Sequence, residues 1–288
     1  MKTQHIGNIT INKIEEYLDI LDPNFVFKYF DNFIIDKNKS WLLPEFIDKN
    51  TSFLKFSFHS YLVQTPKYNI LIDTCVGNDK SRPLPNWHMR NSNFLDKFDK
   101  YKINKNMIDY VMCTHLHADH VGWNTVLENG KWVPTFPNAK YIFSKKDYDF
   151  FNNVKEGEQG YLSMIDSVRP IVENSQAVLV DNSFTIDETI DLVPTPGHTP
   201  GHICIQLNSK NEKGIFTGDL IHHPLQINEP LLETNFCFDP KQAVKARENF
   251  INQHTDKNTM IFPAHFSGNT SGFIKSSKLG KIFNSVNF

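Results

Sequence analysis

Thr114-His115-Leu116-His117-Ala118-Asp119-His120-Val121-Gly122-Trp123-Asn124 follows directly on the apolar run Tyr110-Val111-Met112-Cys113. A short run of β-branched and aromatic residues reads as a buried strand. Three histidines and an aspartate then fall within residues 115–120. Ligand-type side chains are thus gathered where a strand stops and a loop begins, the position at which α/β proteins build sites. Imidazole and carboxylate together suit zinc, and also iron or manganese. The plain alternative is a chance cluster of polar loop residues. The pattern H-x-H-x-D-H counts against it, because it offers two overlapping ligand sets. His115 and His117 could hold one metal, and Asp119 and His120 a second.

Outward from this stretch the chain reads as alternating strands and helices. Ile6 to Ile20 opens a sheet. Residues 22–55 are rich in aromatics, Asn and Lys, and read as a long ordered loop or lid. Phe56–Gln64 and Tyr68–Asp73 form a strand pair. Residues 76–91 read as another loop, broken by Gly and Pro. Ser92 is placed to cap a helix through Phe94, Phe98 and Tyr101. Gly122 to Pro137 reads as loop, Tyr141–Phe143 as a strand, and Lys145 to about Val172 as broken helix. In the second half, His202–Leu207 and Gly214–Thr217 pair as strands. Asp239-Pro240 starts a helix with Asp as cap and Pro at the first position, and Met260–Phe262 is the last expected strand.

Each half therefore has a strand pair ending in Asp (Asp73, Asp219), then a helix, then a strand ending in His (His115, His265). The intervals are 115 − 73 = 42 and 265 − 219 = 46 residues. This predicts a single 1–288 domain with a weak internal duplication, about 56–165 and 178–265. Two α/β halves would bring both sets of strand ends to one edge, with 22–55 and 76–91 as active-site or dimer loops.

A chain of 288 residues allows one large domain or two small ones. The net charge of −2 gives no reason to expect nucleic acid or an anionic membrane as partner. Hydrophobic residues make up 40%, enough for a sizeable core, and 24 Phe can line a pocket as well. The four cysteines show no C-x-x-C spacing, and three lie in or beside strand-like runs, which suits reduced, buried thiols. No apolar leader and no run of membrane-spanning length is present, so the expectation is a soluble, cytoplasmic protein.

Three more signals accompany the first. Thr195-Pro196-Gly197-His198-Thr199-Pro200-Gly201-His202 holds His198 in a turn that Pro and Gly fix. Gly218-Asp219 puts a carboxylate at a strand end, and Pro263-Ala264-His265 ends the last expected strand. H-x-H-x-D-H, G-H-T-P-G-H, G-D and A-H in this order resemble the metallo-β-lactamase fold superfamily, from about Phe56 to His265.

The resemblance implies a four-layer αβ/βα sandwich of two mixed β-sheets flanked by helices. It implies two divalent cations, zinc first, with iron, manganese and cobalt open. His115, His117 and His198 would hold one ion, and Asp119, His120 and His265 the other, with Asp219 shared. Asp73 would lie behind the site and orient a histidine through its other ring nitrogen. The implied chemistry is hydrolysis of a small-molecule substrate by a metal-bridging hydroxide, with Asp119 passing a proton to the leaving group. Within the superfamily the pattern is similar to N-acyl homoserine lactone lactonases and to aryl-ester and organophosphate hydrolases. Those lactonases carry Tyr three residues after the shared Asp, and here His222 stands there as a candidate hydrogen-bond donor. His222 and His223 are expected to face the site, Trp123 to form a pocket wall, and His202 to be structural. The first reading is a lactonase or carboxylesterase for apolar-tailed substrates, possible as a homodimer. Alternatives are a phosphotriester or thioester hydrolase on the same residues, and a mononuclear iron sulfur dioxygenase.

Overall fold

In the computed structural model the strand that delivers His115 is Tyr110–Met112, and it is parallel to both its neighbours. Residues 3–181 and 184–286 are described. The remaining residues of the expected 1–288 domain, including 182 and 183 in its second repeat, lie outside the described residues. The chain forms two compact units: residues 3–16 with 58–184, and residues 17–57 with the chain from Thr185 onward.

The first sheet contains β1 (Gln4–Ile6), β2 (Ile9–Leu21), β3 (Leu54–Gln64), β4 (Asn69–Ile72) and β5 (Tyr110–Met112). A separate hairpin of β6 (Thr125–Glu128) and β7 (Lys131–Pro134) follows, and then β8 (Lys140–Ser144) and β9 (Ala177–Val180) rejoin the sheet. Its order is β1-β2-β3-β4-β5-β8-β9, antiparallel between β3 and β4 and parallel from β4 to β9. Parallel strands are covered on both faces, which is why Ile70, Leu71, Val111 and Ile142 come in unbroken apolar runs. Leu71, Val111 and Tyr141 pack with Phe94, Phe98 and Ile171 in the core of this unit. Full burial of side chains such as Leu71 or Val111 stabilises by about 1.5–3 kcal/mol each.

The second sheet runs β10 (Thr185–Ile186), β11 (Ile190–Pro194), β12 (Ile203–Ser209), β13 (Glu212–Gly218), β14 (Thr259–Pro263), β15 (Gly272–Ser277) and β16 (Gly280–Ser285). Only β13 and β14 are parallel, and the helix Pro240–His254 connects them. Asp239 caps that helix by accepting from Gln242 N at 3.0 Å, as the Asp-Pro pair predicts. The α/β architecture of two mixed sheets with helices is thus the one expected.

Several local expectations change. Gly122 to Pro137 is not simply loop: Asn129 and Gly130, at φ 52° and 76°, make the turn of the β6–β7 hairpin. Segment 22–55 carries helices Pro23–Val26 and Phe33–Leu42. Ser92 caps nothing. The helical turn there is 3₁₀, Leu95–Tyr101, and the Ser92 hydroxyl donates to Glu16 Oε1 at 3.2 Å. Two strands, β15 and β16, follow His265 where none was expected. Among the described residues no helix is long and apolar enough to cross a membrane.

Candidate metal centre

In the first unit, β4 and β5 end side by side. Asp73, just past β4, adopts φ 55° and donates its N–H to Met112 O at 3.0 Å. Its carboxylate accepts from Thr114 N at 2.8 Å and from Thr114 Oγ1 at 2.9 Å. It also contacts His120 Nδ1 at 2.9 Å. This is the contact that an orienting role for Asp73 requires. His115 Nδ1 lies 3.1 Å from Thr114 Oγ1, which leaves Nε2 facing His117 Nδ1 at 3.1 Å. Asp119 Oδ2 is 3.7 Å from His120 Nε2. The short helix Ala118–Val121 is moored to the loop after β4. His120 O accepts from Thr74 N at 2.8 Å, and Gly122 N donates to Cys75 O at 2.8 Å. A Cβ on Gly122 would sit 1.9 Å from Val76 O, so only glycine permits this approach.

In the second unit, β13 and β14 end side by side in the same way, and deliver Asp219 and His265. His198 hangs from the turn after β11. Gly197 has φ 137°, and a Cβ there would meet Ala243 N at 2.2 Å. The turn is pinned by Phe238 N to His198 O (2.9 Å) and Asp239 N to Gly197 O (2.8 Å). The Asp219 carboxylate faces two ways. Oδ1 is 2.9 Å from His265 Nε2, while Oδ2 is 3.2 Å from His198 Nε2 and 3.3 Å from His222 Nε2. Burial resists a charge on His198, but the Asp219 carboxylate outweighs it and raises the pKa to about 10. At His222 burial prevails over the same carboxylate and lowers the pKa to about 4.

Residues 58–265 match the metallo-β-lactamase superfamily. The chain belongs to that superfamily. A lactamase-like protein, nscB of Trichophyton verrucosum, is 28% identical over 179 residues, covering 60% of this chain and 50% of that protein. The chain thus spans about half the length of this curated relative. Among solved structures, the hydrolase AbOPH of the β-lactamase superfamily aligns with TM-score 0.81 and 22% identity, over 99% of this chain and 97% of its own. AidC, a dizinc quorum-quenching lactonase solved with its product, aligns with TM-score 0.80 and 22% identity, over 100% and 97%.

The donors in this metallo-β-lactamase chain fit a divalent cation. With metal–nitrogen bonds of about 2.0–2.1 Å, neighbouring ligand atoms on one ion lie about 2.9–3.4 Å apart. The His115–His117 contact and the contacts of Asp219 with His198 and His265 fall in that range, from 2.9 to 3.2 Å. The donor types, imidazole and carboxylate, are those that hold such ions. The far nitrogens are also held: His265 Nδ1 lies 3.4 Å from Ser57 O, and His198 Nδ1 lies 3.5 Å from Cys237 Sγ. His222 differs. Its Nε2 approaches Asp219 without the alignment of a hydrogen bond, and its buried Nδ1 has no hydrogen-bond partner.

Two expectations need correction. Trp123 is no pocket wall. It is 3% exposed, stacks on Phe94 at 5.4 Å and donates Nε1–H to Glu16 Oε1 at 2.7 Å. His223 is held by the fold: Nδ1 accepts from Leu225 N at 3.2 Å, so Nε2 carries the proton and donates to Phe46 O at 2.9 Å. Burial lowers its pKa to about 4, which keeps it neutral. A residue that the pattern did not single out stands near His222 instead. The Phe236 ring lies 6.4 Å from His222 and 5.5 Å from Phe25.

Proposed function

We propose that the protein is a di-metal hydrolase that opens lactones or cleaves carboxylic esters with an apolar tail. The observation that carries it is the two-faced Asp219 carboxylate, with one oxygen toward His265 and the other toward His198. His115, His117 and His198 would hold one ion and Asp119, His120 and His265 the other, with Asp219 shared. Divalent cations bound there, zinc first, would supply an activated water and a Lewis acid for the substrate carbonyl. His222 Nδ1, buried and without a partner, donates a hydrogen bond to the carbonyl oxygen. Asp119 hands a proton to the leaving oxygen. Phe236, which packs against Phe25, supplies apolar surface beside His222. The AidC structure, which holds N-hexanoyl-L-homoserine, supports acyl homoserine lactones as the first substrates to test.

His222 in the place of the lactonase tyrosine favours a second reading, a phosphotriester or thioester hydrolase on the same residues. The test is turnover by the zinc-loaded protein of two acyl homoserine lactones of different chain length, an aryl ester, a thioester and a phosphotriester. Lactone or ester turnover is expected to dominate and to fall to background in Asp219→Ala. Phosphotriester or thioester turnover in its place would select the second reading. Undiminished turnover in Asp219→Ala would sink both.

A further inference from the structure

The second histidine of G-H-T-P-G-H is not idle. Asp219 N lies 3.0 Å from His202 Nε2. A backbone amide can only donate, so Nε2 presents its lone pair and the proton of the neutral imidazole sits on Nδ1. Nδ1 is 2.8 Å from Thr195 Oγ1. The Thr195 hydroxyl, having accepted there, points its own hydrogen to Cys204 Sγ at 3.4 Å. The Cys204 thiol donates to Thr217 O at 3.6 Å. Thr217 stands two residues before Asp219, so the hydrogen bonds close a ring through the main chain, every donor pointing the same way around it. All five residues are buried. Burial raises the Cys204 thiol to about 12, which keeps its hydrogen in place as a donor.

The ring encloses the point where the chain leaves β13. The register of β13 on β14 shifts between Phe216 and Gly218, and Gly218 adopts φ 48°. A carboxylate placed one residue beyond such an irregularity needs its backbone fixed from another direction. The amide of Asp219 is where that support is applied.

We propose that His202 is a positioning residue for Asp219, held in the Nδ1–H tautomer by the ring through Thr195, Cys204 and Thr217. The same geometry explains why His202, in the turn of His198, is no ligand: its Nε2 lone pair is already engaged. The inference rests on the reading of Asp219 as the shared ligand.

Two measurements test it. Nitrogen-15 NMR of the metal-free wild-type protein reads the tautomer, with Nδ1–H expected at His202. The Nε2–H form would overturn the proposal. Zinc affinity, measured by competition with a chelator on the folded proteins, compares His202→Phe with His202→Gln, whose amide oxygen can accept from Asp219 N. His202→Phe is expected to bind zinc about 10- to 100-fold more weakly. His202→Gln is expected to recover most of that loss. Wild-type affinity in His202→Phe would overturn the proposal, and so would equal loss in both variants. If His202→Phe fails to fold, the tautomer measurement on the wild type still decides. A wild type that binds no zinc would sink the reading of Asp219 as a ligand, and the tautomer would still decide the ring.

Discussion

Asp73 supports His120 through a 2.9 Å contact to Nδ1 and is itself fixed by Thr114. Replacing Asp73 with Asn removes the charge but little volume. It is expected to weaken metal binding or turnover by about 10- to 100-fold. Metal analysis after dialysis and kcat/KM against wild type would check this, and unchanged values would deny Asp73 its role. Gly197→Ala puts a Cβ against the Ala243 backbone. The expected cost is about 1–3 kcal/mol of stability, with loss of metal as His198 shifts. A thermal melt and a zinc assay on the same sample would read both. The ligand-type residues were legible because chemistry restricts them to a few residue types at fixed spacing. Phe236 was not, because an aromatic beside a site looks in sequence like an aromatic in the core. Trp123 shows the converse. Its place three residues past His120 predicts substrate contact, but Gly122 drops against Val76 and the indole turns inward onto Phe94.

At the level of elements, the helix Pro240–His254 joins stability to the site, because its cap residue Asp239 also donates its N–H to Gly197 O. Asp239→Ala keeps that backbone bond and removes only the side-chain cap. The expected loss is about 1 kcal/mol in denaturant unfolding, with zinc binding retained. A loss of zinc in this variant would show that the cap, and not the backbone bond, holds the His198 turn. This helix was legible from Asp-Pro followed by apolar residues at helical spacing. The helix Phe33–Leu42 was not, since its Asn and Lys residues hide the apolar positions. β15 and β16 escaped for a related reason: Lys275-Ser276-Ser277-Lys278 before a Gly280 turn resembles a polar tail. The parallel strands were the clearest, because burial on both faces leaves little freedom in their composition.

Across the whole molecule, stability carries a pH signature from the first unit. Lys80 is fully buried, 2.8 Å from Thr125 Oγ1 and 3.8 Å above the Trp132 ring. Burial lowers its pKa to about 7, against the opposing pull of Asp166, which also pairs with Arg82. The unfolded chain keeps its Lys80 proton up to about pH 10.4. Between these values the unfolded state binds more protons, so the Lys80 contribution rises with pH and is lost as pH falls toward 7. The expected slope is up to about 1.4 kcal/mol per pH unit. Unfolding free energies of wild type and Lys80→Met at pH 7, 8 and 9 would isolate it. Parallel pH profiles for the two proteins would remove Lys80 as the source.

The turn of the β6–β7 hairpin has a consequence of another kind. Asn129-Gly130 is the sole Asn-Gly pair in the sequence, and both residues are exposed. Without a side chain on Gly130, its amide nitrogen is sterically free to attack the Asn129 side-chain carbonyl, expelling ammonia to form a cyclic imide, and hydrolysis of that ring by water leaves an acid. One such event takes the formal net charge from −2 to −2 − 1 = −3. Stored protein should therefore resolve into charge variants on isoelectric focusing, with the first new acidic band mapping to the peptide that contains residue 129. The dipeptide that lets the hairpin close is also where the molecule first shows its age.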